Sequence, residues 1–431
     1  MPVDFSLLPP EQKLPDALPS KLLWTVVFFM LTLIGVFAVL LLWPKNEPTQ
    51  TPWFWFSLTT YSAGSAAFVV SRRYSVYEGR CLDVRAWNEA RKQYIQGVFE
   101  NASKPLAVVH AAYCFTDDVK LNRAEAIAKR ELVLKAQPAI AAHGTVEARW
   151  LTPAKLDRSK WVRGPDTIRQ AQVLEWLFDQ LLDKSVEALG SLPSDLPLTV
   201  RLRVAANALE VDIHAVWESR WRSRKLLPAT VLFEPVDANL MRVDSWLDSG
   251  DALIKKRATL MVTVQLNEVL SKNPPEGSAE AGAAVLLVPK DLLMRHSLKP
   301  VAYLHRPMEG GEDKLIHSVT YALRWGKAEP KSVGRVWLTG LEVHSVAPLH
   351  AALAETGVTA SRSDPLPELN VDRTVGHAGV AAGWLALACS AESAQQVGGQ
   401  QLLVEQNGND IVVAVVAPAL PKVDFGRSKL A

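Results

Sequence analysis

The chain of 431 residues holds three cysteines, Cys81, Cys114 and Cys389, odd in number and widely scattered. They form no Cys-x-x-Cys pair, so neither a disulfide framework nor a zinc site is indicated; buried free thiols in a reducing compartment are the expectation. Charge of one sign is also missing: 47 Lys and Arg face 45 Asp and Glu, for a net charge of +2, and no long basic run occurs. A nucleic-acid partner would need a basic footprint, and there is none. Gly-x-Ser-x-Gly, the turn that presents a hydrolase serine, is absent. So is the Gly-x-x-x-x-Gly-Lys-Ser/Thr loop that cradles phosphates. His344 and His350 stand six apart, a poor spacing for a shared metal on one helical face. The other isolated histidines (His110, His143, His214, His296, His305 and His317) are expected to pack rather than ligate. No cofactor and no metal site is therefore expected.

What the chain does have is apolar length near its N-terminus. Leu22 to Trp43 is an uncharged run of 22 residues, enough to cross a hydrocarbon core of roughly 30 Å. Trp24 and Trp43 stand near its ends, where aromatic rings favour the headgroup level. A cleaved signal peptide has a shorter apolar core and a small-residue cleavage site, whereas this run ends in Trp-Pro-Lys. Pro44–Pro52 breaks it, and Trp53 to Ser71 is a second uncharged stretch of 19 residues. Its Ser62-Ala63-Gly64-Ser65-Ala66-Ala67 portion would let a neighbouring backbone approach closely. The connecting loop carries only Lys45, whereas Arg72, Arg73, Arg80, Arg85, Arg91 and Lys92 follow the second stretch, and Lys13 and Lys21 precede the first. The positive-inside rule then predicts a two-pass hairpin in the bilayer through 22–43 and 53–71, with both termini cytoplasmic.

Beyond the hairpin, with 48% hydrophobic residues overall, there is ample material for a large core. Helical spacing is read over Tyr74–Glu100, Leu121–Ala136, Ile168–Leu189, Val211–Arg222, Asp248–Lys256, Asp313–Gly326, His350–Thr356 and Gly379–Ser390. Strand patterns lie at Leu106–Tyr113, Leu198–Val204, Ala229–Phe233, Leu260–Leu266, Ala283–Val288, Val301–His305 and Val333–Gly340. The chain closes in a hairpin, Gln401–Glu405 and Asp410–Ala417, around Gln406-Asn-Gly-Asn. Regular alternation predicts a mixed α/β region with helices covering a sheet. Arg220, Arg222 and Arg224 interleave with Trp217 and Trp221, a pattern that in a neutral chain reads as a packed face with a solvated rim. The basic triplet in Ser249-Gly-Asp-Ala-Leu-Ile-Lys-Lys-Arg-Ala reads as a solvated helix end.

Three places resemble the β-ketoacyl-synthase branch of the thiolase-like fold. Asn273-Pro-Pro-Glu-Gly-Ser-Ala-Glu-Ala-Gly-Ala-Ala-Val-Leu-Leu-Val is similar to that family's glycine-containing loop and the strand it enters. Val375-Gly376-His377-Ala378-Gly379-Val380-Ala381-Ala382-Gly383 resembles its Gly-His-x-x-x-Ala-Ala-Gly turn and helix start. The closing hairpin, Gln401–Ala417, stands where the family ends its second half. The strand Val336–Val343, ending at His344, would then stand where the family places its first catalytic histidine.

The resemblance implies a layered α/β/α/β/α body behind a transmembrane helical hairpin: tail 1–21, hairpin 22–71, first half 72–230 and thiolase-like second half 231–431. It also implies a chemistry that needs a cysteine nucleophile at a helix start in the first half, plus two histidines. No cysteine lies between Cys114 and Cys389, and neither of those is placed to be presented. The reading is thus a non-catalytic adaptor that binds another protein. The alternative is a membrane-bound acyl-processing enzyme using His344 and His377. In layout the chain is similar to the adaptors found beside lipase effectors in bacterial type VI secretion gene clusters. That resemblance implies the bacterial inner membrane, and a lipase effector or secretion spike protein as partner.

Overall fold

The computed structural model describes residues 8–15, 18–141, 144–154, 156, 165–206, 212–248, 256–358 and 368–419. The chain divides into two compact units, one formed by Asp4–Glu100 and the other built on Asn101–Ala431.

In the first unit, helix α1 (Lys21–Leu42) starts at Ser20, whose hydroxyl accepts the Leu23 N–H. None of its side chains is buried, and it is long and apolar enough to cross a membrane. The second expected span does not stand alone: 53–71 is the first part of a continuous 51-residue helix α2 (Pro52–Ala102). Its Ser, Thr, Tyr and Gly residues dilute its hydropathy, so among the described residues only α1 meets that standard. The two helices nevertheless pack closely. A Cβ on Gly35 would lie 2.8 Å from Ser62 Cα, and Phe54, Ser57, Ser62 and Ala66 are the buried residues of α2, spaced three or four apart. The segment before α1 runs along α2: the Asn88 amide exchanges two hydrogen bonds with the Gln12 backbone, and Arg91 donates to the Pro9 carbonyl at 2.7 Å.

The second unit opens with β1 (Leu106–Cys114), α3 (Ala124–Ala128), β2 (Ala136–Pro138), β3 (Thr145–Glu147) and α4 (Asp166–Gly190). It continues through β4 (Leu198–Ala205), α5 (Ile213–Ser223), β5 (Thr230–Phe233), α6 (Arg242–Asp248), β6 (Ala258–Gln265), β7 (Ala281–Pro289) and α7 (Lys290–Arg295). Then come β8 (Ala302–Leu304), β9 (Met308–Gly310), α8 (Leu315–Trp325), β10 (Val333–Thr339) and α9 (Val343–Glu355). The last elements are β11 (Glu368–Asn370), α10 (Val371–Thr374), α11 (Ala382–Val397), β12 (Gln400–Asn407) and β13 (Asp410–Pro418).

Eleven strands join in the order β11-β10-β12-β13-β8-β1-β7-β6-β4-β5, with β9 on β13. The antiparallel β8–β1 pair marks a seam. Numbered in chain order, the five strands on either side of it both read 3-2-4-5-1. In both fives the fifth strand is antiparallel to its neighbours and the remaining pairs are parallel. The halves thus share a topology without a visible sequence repeat. They meet between Pro289 and Ala302, later in the chain than the residue 231 read from the sequence.

Alternation along the strands builds the layers. In β7, Ala284, Leu286 and Val288 pack with α4 and α5, while Ala283, Val285 and Leu287 face α11. A bulge between Val108 and His110 shifts the phase of β1, so Val108 and Tyr113 share the α11 side. In β13, Val412, Ala414 and Val416 join the α11 cluster, and Val415 turns the other way onto Gly326 at the end of α8. Helix α11 therefore lies between the two fives, with α4 and α5 outside one and α8 outside the other. Trp217 and Trp221 are buried as expected, and Arg220 and Arg224 pair with Glu175, Asp179 and Asp183 of α4.

Two helix readings need correction. Leu121–Ala136 holds only the short α3, because Arg130 takes a left-handed φ of 54° and the chain turns away from the helix. Helix α9 begins at Val343 rather than His350 and takes Pro348 inside it. Residues 249–255, most of the helix expected over Asp248–Lys256 and the first lysine of the basic triplet, lie outside the described residues, as does His143.

One fully buried ion pair ties the elements together. Arg169 of α4 donates to both oxygens of Glu280, at 2.9 and 2.6 Å, and both side chains are 0% exposed. The same oxygens accept the N–H groups of Leu151 and Asn267. Removing one partner strands a buried charge, which costs about 3–5 kcal/mol. Glu280→Ala is expected to destabilise the full chain in detergent by that amount. Arg169→Met with Glu280→Leu, read in the same denaturant series, is expected to recover only part of the loss, because the Leu151 and Asn267 N–H groups lose their acceptor.

Candidate functional site

The two sequence motifs singled out above, about a hundred residues apart, meet in space. The His377 N–H donates to the Gly277 carbonyl at 2.7 Å, and the Ala279 N–H donates to the His377 carbonyl at 2.9 Å. Gly376 permits this: its φ is +104°, and a Cβ there would lie 2.8 Å from the Ala279 side chain. The turn leads through Gly379–Ala381 into α11.

His377 is half-exposed, and its Nδ1 faces Asp372 at 3.5 Å. Asp372 is itself fixed by the Thr339 hydroxyl at 2.8 Å and the Gly340 N–H at 2.6 Å, both at the end of β10. The carboxylate beside the ring holds the His377 pKa above the usual histidine range against the opposing effect of burial.

The nucleophile position implied by the resemblance is a helix start in the first half. In the repeat, the helix between the third and fourth strands is α11 in the second half and α6 in the first. The chain approaches α6 as Asn239-Leu240-Met241. Asn239 donates to Glu309 and accepts from the Met241 N–H, so its side chain is used up structurally. The Leu240 N–H donates at 2.9 Å to Glu405, a residue of β12. The Glu405 carboxyl occupies the space that a Cβ on Gly383 would take. Burial raises its pKa. Side chain and backbone thus fill the place between the starts of α6 and α11.

Neither buried cysteine can replace the missing nucleophile. Cys114 ends β1, and burial pushes its thiol up to about 12. Cys389 lies in the middle of α11, and burial raises its thiol well above the ordinary value. A thiolate at neutral pH is disfavoured at both.

His344 is not at the end of a strand, as the sequence reading had it. Strand β10 stops at Thr339, and His344 sits in the first turn of α9, 62% exposed, facing Glu312 at 3.3 Å and Glu342 at 3.5 Å. It shares none of the polar partners of His377. His350 pairs with Glu368 at 2.9 Å, and His305 is buried against the Trp325 carbonyl with its pKa lowered to about 4 by burial. Among the described residues no group of three or more His, Cys, Asp or Glu could hold a metal ion.

Beside His377 runs an open groove in two compartments of about 480 and 860 Å³. Leu341, Val346, His350, Asn370 and Arg373 line both. His377 belongs to the larger one, whereas His344 lines neither.

Sequence reasoning missed Asp372 and Glu405. A signal existed for the second: one carboxylate within the apolar run Leu402–Val404 and Ile411–Val416 of a buried hairpin demands a partner.

No family model matches the chain, and no curated protein matches it. Solved structures do. An oxazolomycin ketosynthase domain from Streptomyces albus is similar at 13% identity with a TM-score of 0.51, over 74% of this chain and 74% of that one. The ishigamide ketosynthase/chain length factor gives 15% identity and a TM-score of 0.49, over 73% and 99%. Human mitochondrial 3-ketoacyl-CoA thiolase gives 8% and 0.42, over 74% and 100%. The first of these, with the duplicated 3-2-4-5-1 sheet, shows that the second unit has the thiolase-like fold.

The raised pKa of His377 carries a sign. A histidine held above its unfolded value contributes stability that is complete below about 6.5 and is lost as pH rises through the folded value. Asp372→Asn is expected to lower the His377 pKa in an NMR titration and to destabilise the protein more at pH 6 than at pH 9. An unchanged titration would show that Asp372 does not hold the ring.

Proposed function

We propose that this chain is a non-catalytic, membrane-tethered protein whose thiolase-like body binds another protein. The observation that carries the proposal is the filled position between α6 and α11, where Asn239, Leu240 and Glu405 stand in place of a nucleophile and an open pocket. Condensing chemistry needs a thiolate at that point, and the two buried cysteines are elsewhere. A protein partner suits the wide groove better than a deep, enclosed pocket would.

In this reading α1 and the first part of α2 cross the bilayer as a hairpin. The Gly35–Ser62 approach supports it, because small residues in contact are how helices associate in lipid. The hydrogen bonds that join Asn88 and Arg91 to residues 9–12 support it too, since a hairpin brings its two flanks together at one end of the helix pair. The finer proposal, from layout alone, is an inner-membrane adaptor that loads a lipase effector onto a type VI secretion machine.

The rival is an acyl-processing enzyme, favoured by the His377–Asp372 pair. Acyl-thioester hydrolysis, decarboxylation and condensation are measured on the full chain in detergent, beside co-purification from membranes. The expected outcome is turnover no greater than that of His377→Ala with His344→Ala, and a stoichiometric protein partner. Turnover that the double variant abolishes, or no protein partner under mild detergent, would overturn the proposal.

A further inference from the structure

The groove beside His377 has a chemistry that the filled site does not explain. Its wall on one side is the solvent face of α9, where Val343, Val346, Ala347 and His350 stand at i, i+3, i+4 and i+7. Val343 is 92% exposed, an unusual position for a branched apolar side chain in the first turn of a helix on a folded body. Across from it, Val133, Leu134 and Leu341 make the facing apolar surface.

The charges around this surface are segregated. Arg130 lines only the first compartment, and Arg373 lies where the two join. Glu147 and Glu276 line only the second. Among the described residues none of these four side chains has an ion-pair partner, and Glu276 accepts the Glu147 N–H at 3.1 Å. Of the other carboxylates there, Glu368 faces the His350 ring at 2.9 Å and Asp372 the His377 ring at 3.5 Å. An apolar channel with an unmatched basic end and an unmatched acidic end is complementary to a helix. The helix carries partial positive charge at its N-terminus and partial negative charge at its C-terminus. An apolar face with i, i+3, i+4 and i+7 spacing packs against another of the same spacing.

We infer that this groove receives an amphipathic α-helix of the protein partner, with its N-terminus over Glu147 and Glu276 and its C-terminal half, bearing acidic residues, beside Arg130 and Arg373. This inference rests on the partner-binding reading and specifies where and how binding occurs. It assigns the exposed turn of α9 a role that neither packing nor residual chemistry gives it.

The test places a photo-cross-linking amino acid at Val343 in the full chain in its native membrane, with Met294, 71% exposed on α7, as control. The cross-linked peptide is sequenced by mass spectrometry and then made synthetically. The expected result is a peptide of another protein with apolar residues at i, i+3 or i+4 and i+7 and acidic residues towards its C-terminus. It should gain helicity when the full chain is added, and its cross-linking should fall at least tenfold in Arg130→Glu with Arg373→Glu. Cross-linking to lipid, to a second copy of this chain or to a peptide that stays extended would overturn the inference. So would cross-linking no stronger than at Met294, or unaffected by the charge reversal. A partner that co-purifies but cross-links only at Met294 defeats the groove and leaves the binding reading standing. Thioester turnover dependent on His377 defeats the binding reading itself.

Discussion

The second unit is organised around the Arg169–Glu280 pair. Both groups are out of water, so each is tolerable only because the other is within hydrogen-bonding reach and the remaining lone pairs are used. Glu280 takes N–H groups from Leu151 and Asn267, and Arg169 donates to the carbonyls of the same two residues. Four separate segments, a loop, a helix, the exit of β6 and the approach to β7, must therefore converge on one point. The Ser278–Ala279 backbone just before Glu280 is then in place to bridge to His377. Helix α11 starts where it does because of that bridge.

From this anchor the filling of the site follows. With α11 fixed, Gly383 faces β12 at a distance that admits the Glu405 carboxyl. Glu405 in turn caps the Leu240 N–H and holds the approach to α6 against the second half. What would be an open cleft between two helix starts becomes a polar contact between the halves. An unpaired carboxyl buried there would be expensive, and the Leu240 N–H is what makes it acceptable. The contact that occupies the space between α6 and α11 is thus also one that joins the two halves.

Much of this was legible in the residues. Alternating valines, leucines and alanines in β4, β6, β7, β12 and β13 announced buried strands, and Gly-His with its trailing Ala-Ala-Gly announced the turn into α11. The duplication was not legible, because topology repeats through hydrogen-bond order while the sequences of the two fives differ. His344 was misplaced because valine and leucine recur on both sides of Gly340 in Val336–Val343, and Gly340, with a φ of +69° and Asp372 on its N–H, ends the strand early. The length of α2 was hidden for the opposite reason. Its composition changes from apolar to charged at Arg72, yet both compositions favour a helix and nothing between them breaks it. Asp372 could not be assigned to His377 from spacing, since a helix turn and a glycine with a positive φ intervene.

The groove and the filled site are linked by what each leaves available. Asp372 is held by the end of β10 and faces His377, so the imidazole is oriented where it lines the groove. A thiol placed at residue 239 would sit near the carboxylates of Glu309 and Glu405, which disfavour a thiolate rather than promote it. Removing Glu405 would relieve part of that effect at the expense of the contact that joins the two halves at α6. The side chains without an ion-pair partner among the described residues lie along the groove, at Arg130, Arg373, Glu147 and Glu276. The groove's rim and the exposed turn of α9 are the part of this region that keeps charged and apolar side chains in water.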